Sequence, residues 1–227
     1  MNKIFAKNVS KDFSGNKLGS KILNDITLSI AGGESICIMG DSGSGKTTLL
    51  NILSGLDRAD KGEISWNTKL LNEYSLNKIS QMRRNFIGFV FQSFHLIPDL
   101  NVFENVYIAA KILSNEKHTP KGNINKQVYD LLKKLSISHL SNKSVVNLSG
   151  GEKQRVAIAR SLINNPDFIF ADEPTGNLDD NSSHEIINIL FSLVKDKSIG
   201  LILVTHNQEL SKYCDRILKL KNGKLNG

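Results

Sequence analysis

The chain has 227 residues, of which 40% are apolar and 22% are charged, and its formal net charge at pH 7 is +7. This length can bury a substantial core, and the low proline content excludes a proline-rich disordered chain. The lysines are scattered and not interleaved with aromatic residues, so we expect no nucleic-acid partner. No apolar run is long enough to cross a bilayer and the N-terminal residues lack a signal core, so we expect one cytoplasmic domain over residues 1–227.

Three strand-like segments open the chain, at residues 4–9, 26–30 and 35–39, and the third leads into a glycine-rich loop. The loop reads GDSGSGKT and fits the pattern GxxxxGK[ST], with helix-compatible residues 47–53 after it. Glycines allow the tight turns that point successive backbone N–H groups at phosphate oxygens. The alternative is a glycine-rich turn without a ligand. The pattern predicts a nucleotide-binding loop made of Gly40, Asp41, Ser42, Gly43, Ser44, Gly45, Lys46, Thr47 and Thr48.

Three residues of this loop have distinct expected roles. Lys46 would place its ammonium on the β- and γ-phosphates of a nucleotide, and Thr47 would offer its hydroxyl to Mg²⁺. Thr48 is predicted to open a helix whose positive N-terminal end favours bound anions. Lys46 therefore also counts among the candidate catalytic residues.

A strand near residues 87–91 ends before Gln92, and a helical insertion follows. Residues 102–113 and 128–135 carry apolar side chains at helical spacing. The polar stretch between them, residues 114–125, contains Pro120 and Gly122 and predicts a break.

A second anion-binding segment reads LSGGEKQR over residues 148–155. Ser149 supplies a hydroxyl, and Gly150 and Gly151 expose backbone N–H groups at the start of a helix predicted over residues 152–163. Pro166 follows the end of this helix.

Residues 168–173, FIFADE, read as a buried parallel strand that ends in two carboxylates. Asp172 would hold Mg²⁺ through water, and Glu173 would polarise a water molecule for in-line attack on the γ-phosphorus. The alternative is a core strand whose carboxylates merely begin a turn, because Pro174 follows directly.

From residue 168 onward the pattern is strand, helix, strand, helix. The apolar residues of the first helix include Ile186 and Leu190, and the second strand, residues 201–205, precedes His206. This alternation predicts an α/β fold with a parallel core sheet that carries the nucleotide at its strand ends. The two cysteines, Cys37 and Cys214, lie far apart in sequence and indicate a reducing compartment without a metal-ligand cluster.

The motifs occur in the order found in ATP-binding cassette (ABC) proteins, which the chain resembles over essentially all its length. The order is the loop at residues 40–47, Gln92, the segment 148–155, the acidic strand, Asn177-Leu178-Asp179, and His206. The resemblance implies a P-loop NTPase fold: a RecA-like core, an N-terminal antiparallel β subdomain, and an α-helical insertion over residues 93–165. It implies ATP and Mg²⁺ as ligands and ATP hydrolysis as the reaction.

The resemblance also implies roles for residues that the sequence pattern alone leaves ambiguous. Ser149, Gly150 and Gly151 would face the ATP held by a second copy of the chain, with Asp179 at the seam of this head-to-tail dimer. The other roles it implies are a contact of His206 with the γ-phosphate, a catalytic and metal-binding role for Gln92, and stacking of Phe13 on adenine. Taken singly, His206 and Gln92 read as a strand-end and a surface residue, and Phe13 as a core residue.

An ABC ATPase without membrane spans would pass its motion to permease subunits. The segment from Gln92 to Val106 is unusually apolar for a linker and could dock them, or its apolar residues could pack the insertion. These residues are Phe94, Leu96, Ile97, Leu100 and Phe103.

Within the family, the chain resembles the group that serves lipoprotein release, export of macrolides or peptides, and a cell-division complex. The stretch NNPDFIFADEPTGNLD most resembles the subunits that power lipoprotein release, which would place the chain on the cytoplasmic face of the inner membrane. The alternatives are an exporter ATPase and a non-transporting regulator of division.

Overall fold

The computed structural model describes residues 2–12, 21–117 and 124–227. The strands are β1 (Lys3–Asp12), β2 (Lys21–Ala31), β3 (Ser35–Met39), β4 (Lys61–Trp66), β5 (Lys69–Leu70), β6 (Ile87–Phe91), β7 (Phe168–Asp172), β8 (Gly200–Val204), β9 (Arg216–Lys221) and β10 (Lys224–Asn226). The helices are α1 (Lys46–Leu53), α2 (Leu76–Phe86), α3 (Val102–Lys117), α4 (Ile124–Lys134), α5 (Gly150–Leu162), α6 (Asp180–Asp196) and α7 (Gln208–Ser211). Short 3-10 turns lie at Leu71–Glu73, Ser138–Leu140 and Val145–Asn147.

A mostly parallel sheet forms the centre of the fold, with strand order β10-β9-β3-β8-β7-β6. Neighbouring strands from β9 to β6 run parallel, and β10 pairs antiparallel with β9 at the edge. Strand β8 is buried along its whole length, which explains its uninterrupted apolar sequence. The predicted parallel core sheet is confirmed.

An antiparallel sheet with strand order β2-β1-β4-β5 covers one side of this centre. Its inward side chains share a core with α1, α2 and the parallel strands, and Trp66 stacks on Phe86 with ring centroids 5.1 Å apart. The indole N–H of Trp66 donates to the carbonyl of Leu53 at the end of α1, which satisfies its only buried donor. The predicted N-terminal antiparallel subdomain is thus present.

Helices α3 to α6 share a second core with the other face of the parallel sheet. The apolar faces of α3 and α4 meet there through Val106, Val128 and Leu132. Helix α5 packs closely on β6, because Gly88 presents no side chain: an added Cβ would lie 2.3 Å from the carbonyl oxygen of Ser161. Among the described residues, no helix combines the length and apolarity that a bilayer crossing needs.

Element boundaries differ from the sequence prediction at several motifs. Helix α1 begins at Lys46, not Thr48, and α5 begins at Gly150, not at residue 152. Strand β7 ends at Asp172, because Glu173 adopts a left-handed φ of 46°. The expected C-terminal helix is reduced to the four residues of α7, and the chain ends in the unpredicted hairpin of β9 and β10.

We expect Gly88→Ala to lower the free energy of unfolding by about 1–3 kcal/mol, because the new methyl group overpacks the contact between β6 and α5. The measurement is equilibrium unfolding in urea. The exposed Lys7 of β1 offers a control, and Lys7→Ala should change the midpoint little. An unfolding midpoint for Gly88→Ala equal to that of the parent would contradict the close packing.

Candidate functional site

The predicted phosphate loop connects β3 to α1 through two glycines with left-handed backbones. Gly43 has a φ of 78° and Gly45 a φ of 99°, a region that other residues enter at a cost. Gly45 is also the N-cap of α1, so the positive end of this helix points into the loop. Gly40 cannot carry a side chain, because a Cβ there would lie 2.5 Å from the carbonyl oxygen of Leu220. These three positions explain the glycine spacing of the motif.

Two polar side chains of the loop point to an anionic ligand. The ammonium of Lys46 donates to the carbonyls of Gly40 and Asp41, both at 2.9 Å, so it lies over the loop. The Oγ of Ser44 is buried without a hydrogen-bond partner among the described residues. A cation, an unpaired hydroxyl and the N-terminus of a helix together form a chemical environment suited to phosphate oxygens.

Thr47 and Asp172 meet across the sheet edge, although 125 positions separate them in sequence. The Thr47 hydroxyl donates to Oδ2 of Asp172 at 3.0 Å. Burial raises the pKa of Asp172 above its ordinary value, and the bond from Thr47 opposes this shift. A hydroxyl and a carboxylate beside a phosphate loop are the oxygen ligands that Mg²⁺ takes in phosphate sites. The residues present therefore fit this ion.

Glu173 follows Asp172 in sequence, and hydrogen bonds hold both its backbone and its carboxylate. Its backbone N–H donates to the carbonyl of Val204, and its φ of 46° turns the side chain away from the strand direction. Carboxylate Oε1 accepts from the backbone N–H of His206 at 3.0 Å and lies 2.7 Å from Nδ1 of the same residue. The other oxygen, Oε2, accepts from the Thr205 hydroxyl at 3.0 Å.

Gln92 reaches this region from the end of β6. Its side-chain N–H donates to Oδ1 of Asn177 at 3.2 Å, and Nδ2 of Asn177 donates back to the Gln92 carbonyl at 3.0 Å. Gly176 lies close beside it: a Cβ on this glycine would lie 2.6 Å from Nε2 of Gln92, so a larger residue would displace the amide. A cavity of about 1350 Å³ brings together the loop residues Gly40 to Thr48 with Gln92, Asp172, Glu173 and His206.

The remaining predicted residues form a second cluster outside this cavity. Ser149 caps α5 in a capping box with Glu152, whose pKa is lowered because its carboxylate accepts the backbone N–H of Ser149. Asp179 caps α6 by accepting from the N–H of Ser182 at 3.0 Å, and this bond lowers its pKa. The two helix ends adjoin, because a Cβ on Gly151 would lie 3.5 Å from the Ser182 hydroxyl.

Gly150 also lies at the contact between the N-terminal ends of α5 and α6, because a Cβ on it would lie 3.0 Å from Leu178. The motif of residues 148–155 and the Asn177-Leu178-Asp179 stretch thus meet on one surface. Phe13, the predicted adenine contact, lies outside the described residues, as do residues 118–123 of the polar break predicted over residues 114–125.

The segment from Gln92 to Val106 is held by a half-buried arginine and a fully buried asparagine. Arg160 of α5 donates to the carbonyls of Phe94 and His95, both of which have left-handed φ values. Burial lowers the pKa of the Arg160 guanidinium. The fully buried Asn105 binds both the N–H and the carbonyl of Ile97. Of the predicted docking residues, Leu96 and Phe103 pack on the helical core, whereas Ile97 is 39% exposed.

Sequence reasoning missed several residues at this site. Two of them, Thr205 and Arg160, bind the proposed site residues from outside the cavity. Among the residues that line the cavity, four were also not predicted: Lys21, Ile22, Lys219 and Lys221. A signal for Thr205 did exist, because a polar residue at the carboxyl end of a buried strand lies where ligands bind in parallel sheets. No comparable signal marks Arg160, which in sequence is one more cation on an amphipathic helix.

The sequence profile of the ABC transporter family matches residues 23–176. The lipoprotein-releasing system ATP-binding protein LolD of Wigglesworthia glossinidia brevipalpis is 45% identical over 220 residues, or 96% of this chain and 94% of that protein. An uncharacterized ABC transporter ATP-binding protein of Methanocaldococcus jannaschii is 43% identical, covering 98% of this chain and 97% of the relative.

A solved structure with similar architecture is the dimeric ATP-binding cassette MJ0796 in a post-hydrolysis state bound to ADP and Pi. It superposes with a TM-score of 0.89 at 35% identity and covers 99% of this chain and 97% of that one. The family match, the identity over nearly the whole length and the shared fold lead to one conclusion. The chain belongs to the ABC transporter family, as an ATP-binding subunit that hydrolyses ATP.

Proposed function

We propose that this chain powers the release of lipoproteins from the inner membrane toward a periplasmic carrier, as the peripheral ATPase on the cytoplasmic side of a permease. The observation that carries the proposal is the 45% identity, over 96% of the chain, to a lipoprotein-releasing ATP-binding protein. A second relative with the same name, from Francisella tularensis subsp. holarctica, is 43% identical over 219 residues.

Lipid physics limits what such a chain can do. Moving a lipid chain into water costs about 0.8 kcal/mol per CH₂, so releasing a bare acylated anchor would cost on the order of tens of kcal/mol. The ATPase would therefore drive a membrane partner that transfers the anchor to an apolar carrier. Substrate selection would belong to that partner, and the ATPase would never contact the lipid.

For hydrolysis, we assign the role of general base to Glu173. Its carboxylate is fixed by the N–H of His206 and the hydroxyl of Thr205, next to the cavity that holds the phosphate loop. A carboxylate held at such a place can take a proton from the water that attacks the γ-phosphorus. His206, bonded to Oε1, would orient this water at the γ-phosphate, and Gln92, which lines the same cavity, would approach the same phosphate.

Thr47, Asp172 and Gln92 are the side chains that would hold Mg²⁺. The ion, when bound, neutralises the charge that develops on the β- and γ-phosphate oxygens. Lys46 adds a second cation to the same oxygens. The stacking of Phe13 on the adenine remains part of this proposal.

The second cluster supports a head-to-tail dimer. Ser149, Gly150 and Gly151 offer the N-terminus of α5 on a surface separate from the chain's own nucleotide cavity, next to Asp179. Because this anion site lies outside the chain's own nucleotide cavity, it would not bind that nucleotide. It suits the γ-phosphate of ATP bound by a partner. The dimeric assembly of the MJ0796 cassette is consistent with this arrangement.

We assign the permease contact to the segment from Gln92 to Val106. The bonds from Arg160 and Asn105 fix its backbone, while Ile97 stays exposed and Phe94 half-buried. A rigid loop that presents apolar side chains suits a short amphipathic helix of a membrane protein.

A second candidate keeps the same chemistry but couples it to an exporter of peptides or small toxic molecules, and regulation of cell division is a third. The Methanocaldococcus jannaschii protein, whose name states no lipoprotein-releasing function, is also 43% identical to this chain. Identity at this level therefore does not by itself separate the members of the group.

The hydrolysis step is tested by Glu173→Gln. We expect this variant to bind MgATP and remain dimeric with it, while turnover falls by about 100- to 10,000-fold because the base is lost. Measurements are phosphate release and the elution volume in gel filtration with ATP. Glu209→Gln is the matched control, since Glu209 is an exposed carboxylate paired with Lys212, and it should keep parental turnover. Full activity of Glu173→Gln would remove Glu173 from the chemistry.

The transport step is tested by depleting the chain in its organism and measuring acylated lipoproteins in the inner and outer membrane fractions. We expect retention in the inner membrane, reversed by the parental chain. Complementation by Ile97→Glu should fail although its ATP binding is intact, because a charge in the proposed contact repels an apolar partner. Ile112→Glu, at a similarly exposed apolar residue of α3, should restore the parental distribution.

A normal lipoprotein distribution after depletion would reject lipoprotein release and leave the exporter candidate. Loss of ATP affinity in Ile97→Glu would instead identify Ile97 as a residue needed for the fold.

A further inference from the structure

Thr205 lies at a junction of three strands. It directly follows β8 and is fully buried, and its backbone N–H donates to the carbonyl of Ile38 on β3 at 3.3 Å. On the other side of β8, the N–H of Glu173 donates to the carbonyl of Val204 at 2.9 Å. Thr205 therefore sits between the strand that enters the phosphate loop and the strand that ends at Glu173.

The direction of its hydroxyl bond can be deduced. Oγ1 of Thr205 accepts a hydrogen bond from the backbone N–H of Asn207 at 3.1 Å, which leaves the hydroxyl hydrogen available for donation. An ionised carboxylate only accepts hydrogen bonds. The 3.0 Å contact with Oε2 of Glu173 therefore runs from threonine to glutamate, and both capacities of the hydroxyl are used.

The Glu173 carboxylate depends on such support because its backbone does not fix it. A φ of 46° places the residue outside the strand geometry, and a glutamate side chain has several rotatable bonds. The bonds from His206 reach only Oε1, so the carboxylate could still turn about that oxygen. The bond from Thr205 to Oε2 removes this freedom.

We propose that Thr205 is a positioning residue for ATP hydrolysis, whose buried hydroxyl holds the carboxylate of Glu173 in the orientation from which it acts on the attacking water. The proposal rests on the assignment of Glu173 as the general base. Displacing a general base from its productive geometry lowers the rate of hydrolysis but does not affect substrate binding. Thr205 does not line the nucleotide cavity, so it would act only through Glu173.

The test compares Thr205→Val, which removes the hydroxyl at nearly constant shape, with Thr205→Ser, which keeps it. We expect Thr205→Val to lower kcat about 10- to 100-fold, the loss that removal of one hydrogen bond to a charged group produces. The KM for ATP and the affinity for a fluorescent ATP analogue should stay at the parental values. Thr205→Ser should restore most of kcat. A parental kcat in Thr205→Val would overturn the proposal.

A double-mutant cycle separates this proposal from its premise. In single-turnover assays, Thr205→Val added to Glu173→Gln should cause no further loss, because the hydroxyl acts only through the carboxylate. A further loss of the same size would show an independent role and overturn the proposal, with Glu173 still assigned as base. Full activity of Glu173→Gln would reject the base assignment, and the positioning role with it.

A merely structural role predicts a different pattern. Thr205→Val would then lower the thermal midpoint and the ATP affinity together with kcat, and Thr205→Ser would not separate these quantities. That result would also overturn the proposal.

Discussion

The parallel pairing of β3, β8 and β7 is the constraint from which the rest of the site follows. Ile38 and Asp172 both pair with Val204, so the three strands end at the same level of the sheet. Because each strand is apolar and buried, a slip by one residue would force polar strand-end groups into the core, and the register is fixed. The phosphate loop, Thr205 and Glu173 meet at this edge although they come from distant parts of the chain.

Helix α5 is the second organising element, because three of its side chains bind backbone carbonyls of other segments. Gln154 donates to Pro174, next to Glu173, and Arg155 to Leu135 after α4. Arg160 donates to Phe94 and His95 at the opposite end of the helix. One helix thus connects the motif proposed to face a dimer partner, the turn after the proposed base and the proposed permease contact.

The sequence was sufficient to predict the parallel sheet and the location of the cavity, because strands buried on both faces are continuous apolar runs and the motifs lie at their ends. It did not predict α2, in which Ile79 and Phe86 are the only buried residues of eleven. Arg160 could not be recognised either, since its burial depends on two distant left-handed residues. Likewise, the direction of the Thr205 bond depends on Asn207, which only the folded turn brings into contact.

At position 173, the backbone conformation and the proposed chemistry favour different residues. Glycine or asparagine would adopt a φ of 46° at lower conformational cost than glutamate, and neither could accept the proton of the attacking water. Substitutions that relax the backbone there would therefore give a more stable chain that has lost its proposed base. Variants of this protein chosen for stability alone would drift toward inactivity at this residue, so stability is a poor guide to function at the end of β7.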